Sequence, residues 1–82
     1  YLGMENNLGQ YYTMLAKKNL RRLKEDRHWT IPQMSMHLEL SESYLGQLIS
    51  LKSKKVPSIY LLGQICEKAK IKIDYFFEAQ AE

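Results

Sequence analysis

His28 and His37, the two histidines of this 82-residue chain, stand nine residues apart with no cysteine or carboxylate cluster around them. No glycine-rich phosphate loop is present either, so metal-assisted hydrolysis and nucleotide chemistry have no constellation of residues to carry them. An enzyme is not expected, and no metal or cofactor is implied. His28, at the end of the first helix, is expected to favour that helix's negative C-terminus. The single cysteine, Cys66, cannot close an internal disulfide. Beside Ile65 and Ala69 it reads as a buried, unreactive thiol in a reducing, cytoplasmic compartment. What remains is the chemistry of charge and hydrogen bonding. Twelve Lys and Arg against nine Asp and Glu give a net charge of +3, and that balance leans toward a polyanionic partner.

The elements that must position these groups are helical. Apolar residues recur at spacings of three and four, no stretch alternates with period two, and an apolar fraction of 45% is that of a globular domain. The apolar runs fall far short of the ~20 residues needed to span a bilayer, so no membrane association is expected. Nor is a small-molecule ligand evident. Met4 is taken as the native start, and Tyr1 to Gly3 are set aside from the fold argument.

A first helix is expected from Leu8 to Arg27, with Ala16, Leu20 and Leu23 on its inner stripe and Lys17, Arg21 and Lys24 on the other side. Lys17, Lys18 and Arg22 read as ordinary exposed helix charges. Thr30 is an N-cap, with Gln33 completing a capping box and Pro32 tolerated in the first turn. The short helix that follows carries Met34 and Leu38 inward and stops near Leu38. Ser41 caps a third helix with Leu45 and Leu48 on its buried face and Glu42 in its first turn. Lys52 to Val56 form a basic loop closed by Pro57. A fourth helix is marked by Ile59, Leu62, Ile65, Cys66 and Ala69, and a short fifth turn lies around Asp74 to Phe77.

The order and tight joining of these helices resemble the DNA-binding domain of the phage repressor and Cro family, the xenobiotic-response-element-like helix-turn-helix proteins. The resemblance spans about Leu15 to Phe77. It rests on Leu15-Ala16 with Leu20-Arg21-Arg22-Leu23-Lys24, on Leu40-Ser41-Glu42-Ser43-Tyr44-Leu45-Gly46-Gln47-Leu48, and on the stretch from Pro57-Ser58 through Ile65-Cys66. It implies an all-α, five-helix lambda-repressor-like domain over residues 15–78, with an N-terminal extension at 1–14 and a tail at 79–82. It also implies a sequence-specific, double-stranded DNA-binding transcriptional regulator, a repressor acting as a homodimer.

The chain departs from the family pattern on the motif itself. Ile31, Ser35 and Glu39 occupy the usual Gln, Ala and Gly frame, and Glu39 at the left-handed turn costs ~1 kcal/mol unless the turn is remodelled. Ile49 stands where the family places a glutamate that pairs with the residue at Lys24. That exchange trades an ion pair for an apolar contact and leaves Lys24 free to reach phosphate. Leu51 takes a glycine's place, and the loop from Leu48 to Pro57 is longer than usual.

A helix with its side chains fits the major groove of B-DNA. On the third helix Gln47 could bond adenine, Glu42 could accept from cytosine N4, and Ser43 could serve either role; Glu42 could equally act only on the helix dipole. Phosphate contacts are assigned to Thr30 and Gln33 at the second helix's start, to Lys52, Lys54 and Lys55, and to Lys24. Tyr44 either meets a phosphate or packs on the first helix. Tyr75, Phe76 and Phe77 are candidates for a dimer interface, with Leu8, Tyr11, Tyr12 and Met14 as a second apolar group, while at least one phenylalanine is expected to cap the core. The alternatives are an interaction adaptor or antirepressor that kept the fold without DNA binding, motivated by Ile31, Ile49 and Leu51, or an antitoxin-type regulator.

Overall fold

The computed structural model describes residues 2–79, with side chains from residue 8 onward. All regular structure among them is helical: α1 (Leu2–Asp26), α2 (Ile31–Leu38), α3 (Glu42–Ile49), α4 (Ile59–Ala69) and a closing 3-10 helix (Ile73–Phe77). The fifth element is thus a tight 3-10 turn. No helix among the described residues is long and apolar enough to cross a membrane.

Helix α1 begins at Leu2, six residues before the expected start, and passes position 14 without a break. Twenty-five residues at 1.5 Å each give ~37 Å, most of the molecule's 42 Å long axis. The helix has two regimes. Leu8, Tyr11, Tyr12 and Met14 are exposed, whereas Leu15, Ala16, Leu20 and Leu23 are buried. The last three pack with Met34 and Leu38 of α2, Leu45 and Leu48 of α3, Leu62, Ile65, Cys66 and Ala69 of α4, and Phe76.

The helix starts follow from their hydroxyls. Gln33 N–H donates to Thr30 Oγ1 at 3.2 Å while Thr30 N–H donates to Gln33 Oε1 at 2.9 Å, the reciprocal capping box. Ser41 Oγ accepts from Tyr44 N–H at 3.1 Å, and Ser58 Oγ from Leu61 N–H at 3.0 Å. Each satisfies a donor that the first helical turn leaves without a partner.

The helix ends share a device that carries no glycine. His28, Glu39 and Lys70 adopt left-handed φ of 56°, 58° and 62°. The residue after each sends its N–H back five positions: Trp29 to Lys24 O, Leu40 to Ser35 O, Ile71 to Cys66 O, at 3.0 to 3.1 Å. These are Schellman closures, and the apolar residue that completes each one, Trp29, Leu40 or Ile71, packs against the core. Glu39 therefore keeps the left-handed turn, and no remodelling occurs. Its carboxylate lies 3.3 Å from Lys68 Nζ on the surface, and Ser35 Oγ donates to the Leu40 carbonyl beneath it.

Cations from elsewhere in the chain each serve one C-terminal carbonyl of α2, α3 and α4. Lys68 Nζ donates to Leu38 O of α2, Lys17 Nζ to Gln47 O of α3, and Arg27 to Ala69 O of α4. Lys17 does not lie on the exposed side of α1, where spacing places it; it is 1% exposed. Arg22, also expected in solvent, is half-buried: its guanidinium donates to Glu78 Oε1 at 2.8 Å and lies 4.0 Å over the Tyr75 ring. Ile59, expected to face inward, is 67% exposed, and the buried stripe of α4 begins at Leu62.

Candidate nucleic-acid interface

Helices α2 and α3 are joined through Glu39, Leu40 and Ser41, so α3 is set by the closure of one helix and the cap of the next. Leu45 and Leu48 are buried beneath it, and Glu42, Ser43 and Gln47 are exposed on its outer side. A Cβ built on Gly46 would meet nothing within 4 Å, so no part of the chain requires a glycine there, and the space above it is open. Tyr44 is half-buried against the core, with Lys55 Nζ 5.8 Å from its ring centroid. It thus packs inward and borders the basic loop.

Thr30 and Gln33 are exposed, but the capping box occupies Thr30 Oγ1 and Gln33 Oε1, leaving the Gln33 amide N–H groups facing outward as donors. Lys52, Lys54 and Lys55 are exposed. Their loop is held by its own serines, with Lys52 N–H donating to Ser50 Oγ at 3.3 Å and Lys55 N–H to Ser53 Oγ at 3.1 Å. Lys24 is half-buried and makes no ion pair with a described residue, while Ile49 packs against the core.

Arg21, which the sequence places only on the polar side of α1, joins this surface. It lines a groove of about 420 Å³ with Gly46, Ile49, Ser50, Leu51 and Lys52. It also lines a smaller groove with Lys18 and Glu25. The available signal was helical spacing: Lys18 and Arg21 are three apart on one face. Four other cations work within the fold. Burial pulls Lys17 below the ordinary lysine pKa. Burial also opposes the charge on Arg22, but hydrogen bonds and attraction from Tyr75 and Glu78 outweigh it and raise that pKa.

The three aromatics expected at a dimer interface divide. Phe76 is fully inside the core and offers no surface, because a 3-10 turn directs it between α1 and α4. Tyr75 is half-buried, its hydroxyl donating to Asp26 Oδ2 at 2.7 Å. Phe77, also half-buried, meets Tyr12 edge-on at 6.2 Å. His37 stacks on Trp29 at 4.8 Å, and no group of three or more His, Cys, Asp or Glu suited to a metal occurs among the described residues. Comparison with protein-family models, with curated proteins and with solved structures gave no match.

Proposed function

We propose that this chain is a sequence-specific, double-stranded DNA-binding transcriptional regulator with a lambda-repressor-like helix-turn-helix domain, acting as a homodimeric repressor. One observation carries the reading. Helix α3 stands on buried Leu45 and Leu48 with Glu42, Ser43 and Gln47 outward, between the capped start of α2 and a loop bearing three exposed lysines. A helix so presented can enter a major groove while its flanks meet the strands. Gln47, Ser43 and Glu42 are assigned to base edges. Lys52, Lys54, Lys55 and the Gln33 amide are assigned to phosphates, with Thr30, Lys24 and the Tyr44 hydroxyl at the margin.

Of the three residues that motivate the adaptor alternative, Ile31 and Ile49 pack against the chain's own core, while Leu51 lines the groove beside Arg21 and Lys52. With Phe76 buried, the exposed group Leu8, Tyr11, Tyr12 and Met14 on α1 is assigned to pairing two copies on half-sites ~34 Å apart.

Duplex binding measured against salt is the direct test. Three lysines per subunit in a dimer give a slope of about −5 in log K against log salt. Gln47→Ala should relax preference at one base position and leave that slope unchanged, whereas Lys54→Ala should weaken all sequences alike and flatten it. Identical behaviour of the two variants, or no binding to any duplex at low salt, refutes the proposal.

A further inference from the structure

Lys17 sits in mid-α1 with only 1% of its surface exposed, and no carboxylate lies among its hydrogen-bond partners. Its Nζ donates instead to three backbone carbonyls: Gln47 O at 3.1 Å, Ser53 O at 3.4 Å, and Lys55 O. An ammonium has three N–H donors and no acceptor, so these three oxygens satisfy it completely. Lysine is almost never buried this deeply unless it is paired. In this chain the pairing is with carbonyl dipoles.

Each partner has a reason to need a cation. Gln47 lies in the last turn of α3, where carbonyls lack intrahelical partners and the helix dipole is negative. Ser53 and Lys55 belong to the loop between α3 and α4, which has no ladder to absorb its carbonyls. The loop's N–H groups at Lys52 and Lys55 are taken by the Ser50 and Ser53 hydroxyls. With two of its carbonyls gathered inward on one ammonium, the loop presents the side chains of Lys52, Lys54 and Lys55 to solvent.

We infer that Lys17 is a positioning residue for DNA binding: its buried ammonium fixes the lysine-bearing loop and the end of α3 in one arrangement before DNA arrives. The inference rests on the proposed DNA-binding function. A loop already ordered loses little conformational freedom on binding, which is how preorganisation raises affinity. Lys17 touches no DNA itself, so its effect passes entirely through the loop.

The test compares the full chain with Lys17→Met, which keeps the apolar stem and removes all three donors. In the free protein, well below both unfolding midpoints, trypsin should cut after Lys52, Lys54 and Lys55 at least tenfold faster in the variant. With duplex DNA of random sequence, the salt slope should flatten by about 2, equivalent to roughly two phosphate contacts per dimer at 0.9 each. Adding Lys54→Ala to Lys17→Met should then change the slope further by less than it does in the wild type, because the contact is already lost. A merely structural lysine would lower the midpoint without this non-additivity. Should Lys17→Met not fold, the wild type still decides: ¹⁵N NMR should show one lysine ammonium whose protons exchange slowly enough to be seen at neutral pH, as exposed lysines do not. Fast exchange at every lysine overturns the clamp. So does an unchanged trypsin pattern with an unchanged slope. If the variant's loop loosens but the wild type binds no duplex, the clamp holds, while the DNA-binding function and the positioning role of Lys17 both fall.

Discussion

Asn19 offers a quantitative test of how the C-terminal 3-10 helix is held. The side chain is fully buried, and its Nδ2 donates to the carbonyls of Phe76 and Glu78, both at 2.9 Å. Two carbonyls facing one end of an amide can be served only by its NH2 group, which fixes the orientation. Asn19→Ala strips both oxygens of this donor. A buried acceptor left unsatisfied costs about 1–3 kcal/mol; the Phe76 carbonyl is buried and that of Glu78 partly so, which sums to about 2–4 kcal/mol. A chain this size has roughly 4–12 kcal/mol in total, at 0.05–0.15 per residue. The loss should lower the melting midpoint by about 8 °C or more, taking about 4–8 °C per kcal/mol. Urea unfolding followed by circular dichroism measures the difference, with Asn19→Asp as the companion variant. The aspartate keeps the shape but turns an acceptor toward two carbonyls, and it should be at least as destabilising. An Asn19→Ala variant within about 0.5 kcal/mol of wild type, the range of inconsequential surface changes, or a fully stable Asn19→Asp, would refute this account of the C-terminal end.

Three further outcomes are expected. Lys70 is exposed at φ 62° in the closure of α4, so Lys70→Gly should stabilise the chain by about 0.5–1 kcal/mol: relief of ~1–2 kcal/mol of left-handed strain, less the glycine's greater unfolded-state entropy. Burial, then the hydrogen bond to Asp26, raises the Tyr75 pKa above 10.0 although Arg22 pulls the other way. Its contribution to stability is therefore complete below pH 10 and lost as pH climbs through the folded value, and ultraviolet titration should show one tyrosine ionising late, a step absent in Tyr75→Phe. Burial also pushes the Cys66 thiol up, so iodoacetamide at neutral pH should label it in denaturant and spare it in the native chain.

The sequence placed the starts of α2 and α3 and the ends of α1 and α2 within a residue but set the start of α1 six residues late, and it did not disclose how the ends close. A start is announced by a hydroxyl whose acceptor must meet a nearby N–H, and Thr30 and Ser41 are such residues. An end is usually announced by glycine, yet none of the described residues with positive φ is a glycine. The usable signal lay one residue later, in the polar-then-apolar pairs His28-Trp29, Glu39-Leu40 and Lys70-Ile71, where the apolar member covers the closure. Leu45 and Leu48 were legible from spacing alone. Phe76 was not, because Tyr75, Phe76 and Phe77 differ in burial through a 3-10 turn that three consecutive aromatics do not reveal.

The basic residues were the least legible feature, because a count of charge does not say what each charge meets. Lys17, Arg27 and Lys68 all donate to carbonyls at helix C-termini, and Arg22 holds Glu78. None of these four is free to meet a phosphate as a simple surface charge would be. The net +3 is therefore a poor measure of affinity for a polyanion; the local arrangement of Arg21, Lys52, Lys54 and Lys55 beside α3 matters more. The two groups are also mechanically linked, since the loop lysines face outward where loop carbonyls turn inward onto Lys17. Removing an internal cation should thus disturb the outer ones, and under the proposed function a variant that weakens DNA binding need not alter any group that touches DNA.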